Sequence, residues 1–165
     1  MSVRLWSSSW QGEAIEIYLR SSYDGLNYLG WTPPGESSSD DSLEARDFLS
    51  QAIELLESYF FSPRDFSLKK LPKLDICGTD FQRKVWKLVG SIPYAQTCTY
   101  KSIAQSLNAP NSSRAIGNAV GRNPICLFIP CHRVVAVNKV GGYIGGSQLK
   151  SKLLEHEKRS SLCFA

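Results

Sequence analysis

Apolar and polar residues alternate near the start of the chain and then recur at helical spacing. Residues 13–19 alternate as a half-buried strand does, and residues 26–31 form a second strand candidate after a turn. A helix is predicted from a cap at Asp41 or Ser42 to about Phe61, because its apolar residues recur three and four positions apart. The first part of the chain therefore predicts two strands followed by one helix.

Helical periodicity dominates the second half of the chain. Four helices are expected, over residues 80–89, 100–107, 114–121 and from 147 to about 159, where the chain end is expected to fray. Their N-caps are predicted at Thr79 or Asp80, at Thr99, at Ser112 or Ser113, and at Ser147. Two short helices joined by the tight turn at residues 108–111 form a helix-turn-helix candidate.

The helix over residues 114–121 carries little side-chain bulk. Ala115, Gly117, Ala119 and Gly121 are small, and each glycine costs about 1 kcal/mol relative to alanine inside a helix. Close approach of another backbone, that of either a second helix or a DNA strand, would offset that cost. Small residues also suit the narrow minor groove of DNA.

Two apolar runs, residues 125–129 and 134–137, are typical of buried strand or core, and polar residues separate them. Burying Cys131, His132 and Arg133 together without a function would be costly. Neighbours on a regular strand point to opposite faces, so Cys131 and His132 can meet only in a turn or through a water. A thiol, an imidazole base and a carboxylate such as Glu157 form an arrangement that activates the thiol.

Charge is distributed unevenly along the chain. Residues 1–72 hold six basic and eleven acidic residues, a net charge of −5, whereas residues 73–165 hold thirteen basic and four acidic residues, a net charge of +9. The asymmetry supports an N-terminal α/β structural domain, 1–72, and a basic C-terminal domain, 73–165. A segment this basic favours a polyanionic partner such as nucleic acid.

The composition limits the class of protein further. A hydrophobic content of 42%, without an apolar stretch long enough to span a membrane, predicts a soluble globular protein. Five cysteines without paired spacing indicate free thiols, and the N-terminus has no apolar signal core. A cytoplasmic location is expected, associated with the nucleoid or the nucleus depending on the organism. The spacing of Cys126, Cys131 and His132 is wrong for a structural zinc site, so no metal is expected.

The segment 130–134, Pro-Cys-His-Arg-Val, follows Gly-Arg-Asn-Pro at 121–124 and precedes Gly-Gly at 145–146 and Leu-Leu-Glu-His-Glu at 153–157. From about Thr79 to Lys158 the chain closely resembles the O6-alkylguanine-DNA alkyltransferases. The resemblance implies an α+β fold, with a small N-terminal β-sheet plus helix domain that is ribonuclease-H-like by analogy. It implies a mainly helical C-terminal domain with a winged helix-turn-helix.

The resemblance also implies the function, which is DNA repair by a single transfer of an alkyl group to Cys131. His132 takes the thiol proton through a water, Glu157 polarises His132, Tyr100 donates to the departing guanine, and Asn123 braces the site. Arg114 corresponds to a finger that enters the duplex where the damaged base has flipped out. The partner is double-stranded DNA containing O6-alkylguanine, bound through the minor groove by a monomer without a cofactor.

The remaining residues expected at the site fall into two groups. DNA binding is expected from Arg114, Ser113, Ala115, Gly117, Arg122, Tyr100 and Lys101, and the base pocket from Val134, Tyr143, Ile144 and Gly145. The chain departs from the family pattern at Ile144, where a small or polar residue is expected, and at Cys126, where some members have proline. Val120 stands where a larger apolar residue is common.

Three other functions compete with alkyl transfer. A cysteine hydrolase or protease would need an oxyanion-hole signature, which we do not find. A transcription regulator would need longer side chains on its recognition helix. A lesion-binding protein on the same scaffold, without transfer, is the strongest rival, but its relatives typically carry tryptophan where this chain has Cys131.

Overall fold

The computed structural model describes residues 1–6, 14–35 and 40–162, which belong to two compact units, Met1–Cys77 and Gly78–Ala165. Glu13, at the start of the first predicted strand, and Cys163 lie outside the described residues. The described part of the chain contains five α-helices and two small β-sheets, which confirms the mixed α and β class.

The N-terminal unit is a three-stranded antiparallel sheet with one helix packed on it. Strands β1 (Ser2–Trp6), β2 (Ala14–Ser22) and β3 (Gly25–Gly30) lie in the order β1-β2-β3, and helix α1 spans Leu43–Phe61. The Ser42 side chain caps α1 by accepting from the amide of Ala45, as predicted. Alternate apolar residues of β2 are buried, because α1 packs against β2 and β3.

Strand β1 is absent from the sequence prediction. Its five residues alternate polar and apolar types, but so short a run cannot be distinguished from a loop without its partner. The partner is β2, which pairs Val3 with Ile17 and Leu5 with Ile15. The pairing joins segments about a dozen residues apart, so tertiary contact decides whether the strand forms.

The boundary between the units lies five residues after the predicted one. The amide of Leu26 donates to the carbonyl of Lys73 at 2.8 Å, and the amide of Asp75 donates to the carbonyl of Leu26 at 3.0 Å. Gly25, at φ +150°, lies so close that a Cβ atom there would be 2.5 Å from the Lys73 carbonyl oxygen. Residues 73–77 therefore belong to the first unit, although the sequence analysis placed them in the second.

The C-terminal unit consists of four helices and a minimal sheet. The elements are α2 (Asp80–Gly90), β4 (Cys98–Thr99), α3 (Tyr100–Ser106), α4 (Ser113–Gly121), β5 (Val134–Val135) and α5 (Ser147–Leu162). Strands β4 and β5 are parallel. Ser147 was predicted to be the N-cap of α5, but it is the first residue of the helix. The helix continues to Leu162. The fraying expected after Arg159 is therefore wrong for residues 160–162.

The core of the C-terminal unit lies between α2 and α4. Val85, Trp86 and Val89 face Ile116 and its buried neighbours, and the indole nitrogen of Trp86 donates to the carbonyl of Ala119 at 2.8 Å. Residues 125–129 are buried but form turns instead of a strand, with Leu127 at φ +69°. None of the described helices is long and apolar enough to cross a membrane.

Replacement of Thr79 by alanine tests the cap of α2. Thr79 and Gln82 form a reciprocal capping box, in which each side chain accepts from the other residue's amide. We expect Thr79→Ala to lower the free energy of unfolding by about 1 kcal/mol. Urea unfolding followed by tryptophan fluorescence measures this. Thr97→Ala, at an exposed position outside any helix, is the control and should change little.

Candidate active site

Cys131 occupies a single helical turn, Cys131–Arg133, between the buried turns of residues 125–129 and strand β5. Its side chain is only 2% exposed, yet it lines a cleft of about 720 Å³. Predicted residues that line the same cleft are Tyr100, Lys101, Ser113, Arg114, Gly117, Tyr143 and Ile144. The thiol therefore faces this cleft, which lies between the start of α3, helix α4 and the glycine-rich loop, residues 141–146.

Asn123 holds the segment that leads to Cys131. Its side-chain amide donates to the carbonyl of Ile129 at 2.7 Å and to that of Ile125 at 3.4 Å, while its oxygen accepts from the amide of Ile125. The amide of Cys131 donates to the same Ile129 carbonyl at 2.7 Å. One buried asparagine thus supplies hydrogen-bond partners to backbone groups of Ile125 and Ile129, which lie outside the regular helices and strands.

His132 is completely buried, and its Nε2 atom lies 2.7 Å from Oε1 of Glu157. Burial lowers the pKa of His132, although Glu157 acts in the opposite direction. The imidazole is therefore neutral at physiological pH. Since the carboxylate accepts from Nε2–H, the tautomer inferred from this bond leaves the lone pair on Nδ1, where a proton can be received.

Glu157 is the buried carboxylate that joins the site to the rest of the unit. Arg133 donates to both of its oxygens, from Nε at 3.2 and 2.9 Å and from an Nη atom at 2.9 Å, and the amide of Ala95 donates at 3.0 Å. Burial alone would raise the pKa of Glu157, but His132 and Arg133 outweigh it and lower the pKa to about 2. Glu157 is therefore ionised, and Arg133 balances its charge.

Arg133 is not among the site residues predicted from the sequence. The third guanidinium nitrogen, the other Nη atom, donates to the carbonyl of Ile92 at 2.7 Å, and the group lies 5.4 Å from the ring of Tyr94. The sequence held a signal for this pairing, because an arginine between two buried apolar runs requires an anionic partner. Only four acidic residues follow Lys73, and Glu157 is one of them.

The thiol of Cys131 lies in surroundings that favour its anion. A hydrogen bond from the Cys126 thiol lowers the pKa of Cys131 most, burial opposes it, and Asn123 and the Lys150 charge lower it further. In the sequence, Cys126 is a departure from proline and a rejected zinc ligand, and nothing there predicts its contact with Cys131. In the fold it supplies a second buried thiol beside the first.

Tyr100 begins α3 at the edge of the cleft. Its hydroxyl donates to the carbonyl of Gly142 at 3.5 Å, and burial together with the nearby Cys131 raises the pKa of the phenol. The phenol therefore keeps its proton and can act as a donor. Gly141, at φ +78°, packs so closely that an added Cβ would lie 3.3 Å from the Tyr100 ring.

The two glycines of α4 do not serve internal packing. The buried face of this helix carries Ile116, Ala119 and Val120, whereas Gly117 and Gly121 line the cleft. A Cβ at Gly117 would meet only the Tyr100 ring, at 3.9 Å, and one at Gly121 would meet nothing within 4 Å. Of the two explanations for these glycines, approach by a molecule from outside is favoured over helix packing.

Comparison with known proteins identifies the family. Residues 80–159 match the family model described as 6-O-methylguanine DNA methyltransferase, DNA binding domain. The methylated-DNA–protein-cysteine methyltransferase of Methanosarcina barkeri is 43% identical over 122 residues, which cover 73% of this chain and 75% of that protein. The chain belongs to the methylated-DNA–protein-cysteine methyltransferase family. The resemblance identified from the Pro-Cys-His-Arg-Val segment is confirmed.

Solved structures agree with membership of the methyltransferase family. The crystal structure of Mycobacterium tuberculosis OGT in complex with DNA is similar, with a TM-score of 0.71 and 34% identity over 94% of this chain and 91% of that chain. An O6-methylguanine DNA methyltransferase from Methanococcus jannaschii gives a TM-score of 0.67 and 30% identity, over 96% and 93% of the two chains. The likeness therefore extends over both units.

Not every residue predicted for the methyltransferase site lines the cleft. Ala115 and Arg122 are exposed on and after α4, but neither lines it, and Gly145 does not line it either. Helical geometry explains this for Ala115, because adjacent helical residues point in different directions. Val134 is buried, and its carbonyl accepts from Lys150 at 2.6 Å.

Replacement of Glu157 by glutamine tests the charge at the centre of this methyltransferase site. The variant leaves Arg133 buried without its anion, so we expect the free energy of unfolding at pH 7 to fall by about 3 kcal/mol. The pKa of Glu157 is lowered from 4.5 to about 2, so its contribution is complete above about pH 4.5 and is lost as the pH falls towards 2. The difference from wild type should shrink over that range.

Urea unfolding at several pH values measures the difference between the two proteins. Glu155→Gln is the matched control, because Glu155 lies on the same helix but is exposed and forms a surface ion pair with Arg159. A difference that stayed constant between pH 7 and pH 2.5 would contradict an ionised Glu157.

Proposed function

We propose that this protein repairs alkylated DNA by moving an alkyl group from O6 of guanine to the sulfur of Cys131. The observation that carries the proposal is a buried thiol that lines a cleft, in surroundings that lower its pKa, next to an imidazole that is paired with a buried carboxylate. Membership of the methyltransferase family supports the same reaction.

The proposed chemistry uses groups that have the required protonation states. Nδ1 of His132 receives the Cys131 proton through a water, and ionised Glu157 stabilises the resulting imidazolium. The thiolate forms a bond to the saturated alkyl carbon while the bond between that carbon and O6 breaks. Tyr100 donates a proton or a hydrogen bond to the departing guanine, which lowers the barrier because a guanine anion leaves poorly. The thioether product is stable, so each molecule reacts once.

DNA is proposed to bind through α3 and α4, as the helix-turn-helix of a winged domain. The alkylated carbon lies within the base stack, so the guanine must be turned out of the duplex to reach Cys131. The bare face of α4 allows a close approach to the minor groove, and Arg114 at the cleft can fill the gap left by the base. Arg122 and Lys101 are exposed and can neutralise phosphates, while Ala115 borders the same surface.

The flipped guanine is proposed to enter between Tyr143, Ile144 and Tyr100. Tyr143 lies edge-on to the His132 ring, with 6.4 Å between ring centroids. Ile144 is 54% exposed, so it can contact the alkyl group or the neighbouring backbone without closing the cleft. The Val134 carbonyl and the backbone around Ile144 and Gly145 are the groups proposed to hydrogen-bond the base.

The protein is proposed to act as a monomer that needs no cofactor. The N-terminal unit, with three antiparallel strands and one helix, is proposed to be a ribonuclease-H-like structural domain, and this rests on analogy with the family. Its acidic composition argues against a direct role in holding DNA.

Intact-protein mass after incubation with an O6-methylguanine duplex tests the transfer. We expect a gain equal to one methyl group replacing one hydrogen, located on the peptide that contains Cys131. Cys131→Ser should still bind the duplex but gain no mass, whereas the control Cys77→Ser, at an exposed cysteine, should gain it as wild type does. Tight binding of the lesion by wild type without any gain would support the rival lesion-binding function.

Replacement of Arg114 by alanine tests the flipping step. Turning a base out costs a few kcal/mol, so loss of a group that offsets part of this cost should slow repair of duplex about tenfold. Reaction with free O6-methylguanine needs no flipping and should change little. Rates of methyl transfer from the two substrates measure the ratio, with Lys84→Ala on exposed α2 surface as the control. Equal losses on both substrates would refute the role of Arg114.

A further inference from the structure

Asn118 is an exposed residue of α4 whose side chain the proposed reaction does not use. It follows Arg114 by four residues, and residues four apart lie on the same face of a helix. The buried residues of α4, which are Ile116, Ala119 and Val120, lie on the other side. Asn118 therefore faces away from the core of the unit, one turn beyond Arg114.

The fold gives the Asn118 side chain no work of its own. Within the part of the chain that the structure describes, its amide forms no hydrogen bond with another residue. Asparagine is also a poorer helix former than alanine. The side chain therefore contributes neither a cap nor a cross-link to the unit, and both its donor and its acceptor are available to a molecule outside it.

Three residues of α4 carry side-chain hydrogen-bonding groups: Ser113, Arg114 and Asn118. Ser113 and Arg114 line the cleft, whereas Asn118 lies outside it. The damaged guanine is proposed to enter the cleft, so the base pairs beside it stay outside, along the exposed face of α4. Gly121, three residues after Asn118, has no side chain that would hold a duplex away from this face.

The spacing along α4 places Asn118 close to the lesion. Four residues of an α-helix span about 6 Å along its axis, and neighbouring base pairs are about 3.4 Å apart. Arg114 is proposed to fill the gap that the flipped guanine leaves. Asn118 therefore reaches the first or second base pair beside that gap.

An amide can distinguish base pairs in the minor groove. Every pair presents acceptors there, and only a pair that contains guanine adds a donor, the N2 amino group. The asparagine side chain has an acceptor oxygen as well as an NH₂ donor, so it can accept from N2 of guanine. Arginine and lysine only donate, so the cations near the cleft cannot make this distinction.

We propose that Asn118 accepts a hydrogen bond from the N2 amino group of a guanine beside the lesion, and that repair is therefore faster next to G·C pairs than next to A·T pairs. This assignment deepens the proposed function and rests on it for the place of the duplex. Asn118 reads the neighbouring pair, whereas the damaged guanine itself is held in the cleft.

Rates of methyl transfer from four duplexes test the assignment. Each duplex contains one O6-methylguanine and has G·C, inosine·C, A·T or 2,6-diaminopurine·T at the two pairs on each side. Inosine removes the minor-groove amino group from G·C, and diaminopurine adds it to A·T. The amino group should accelerate wild type relative to Asn118→Ala about fivefold, the effect of one hydrogen bond.

Comparison of the two proteins separates readout from duplex stability. The amino group also strengthens its own base pair, but this slows base flipping equally for wild type and for Asn118→Ala. Alanine is the better helix former, so the variant retains α4. Gln148→Ala, at an exposed position of α5 outside the cleft, is the matched control and should respond to the amino group as wild type does. An equal response of wild type and Asn118→Ala would overturn the assignment.

Binding of the same duplexes to Cys131→Ser, with and without Asn118→Ala, distinguishes this assignment from the proposed function. If wild type transfers no methyl group, the function fails, while tighter binding of duplexes with the amino group, lost in Asn118→Ala, would still support the readout. If wild type transfers the methyl group but responds to the amino group no more than Asn118→Ala does, the function stands and the readout by Asn118 fails.

Discussion

The C-terminal unit depends on one buried carboxylate. Glu157 accepts from the guanidinium of Arg133, from the imidazole of His132 and from the amide of Ala95. These donors come from two separate segments, so a single anion on α5 determines where the active-site turn and residues 92–95 lie. Ala95 has a left-handed backbone, at φ +59°, a conformation that costs about 1 kcal/mol or more without such a contact.

Around this anion, the charged and titratable groups of the site are held in defined protonation states. Arg133 is permanently positive and helps to keep Glu157 ionised. His132 is neutral, so it can receive a proton. The thiolate form of Cys131 is favoured by a hydrogen bond from Cys126 and by the charge of Lys150, which both lower the pKa of the thiol. The proposed single transfer requires a nucleophile that is reactive before the substrate arrives, and this arrangement is suited to that role.

The local parts of the fold could be predicted because their causes are local. Ser42, Thr79 and Thr99 cap their helices as expected, since each cap needs only a side-chain oxygen and an amide three residues later. Strand β1 and the pairing of Lys73 with Leu26 were missed, because both depend on partners distant in the sequence. The buried run at 125–129 was recognised as core, but its turns depend on the Asn123 side chain.

By itself, the sequence determined the family and the helices and predicted the nucleophile, because the Pro-Cys-His-Arg-Val segment, the caps and the apolar spacing are short-range patterns. Only the tertiary structure decided which charges meet: Arg133 with Glu157, Lys150 with the cleft carbonyls, and Cys126 with Cys131. The physical reason is burial. A charge or thiol that is buried away from water must have a partner nearby in the folded structure. The spacing of residues along the chain does not specify which partner the packing of the helices places there.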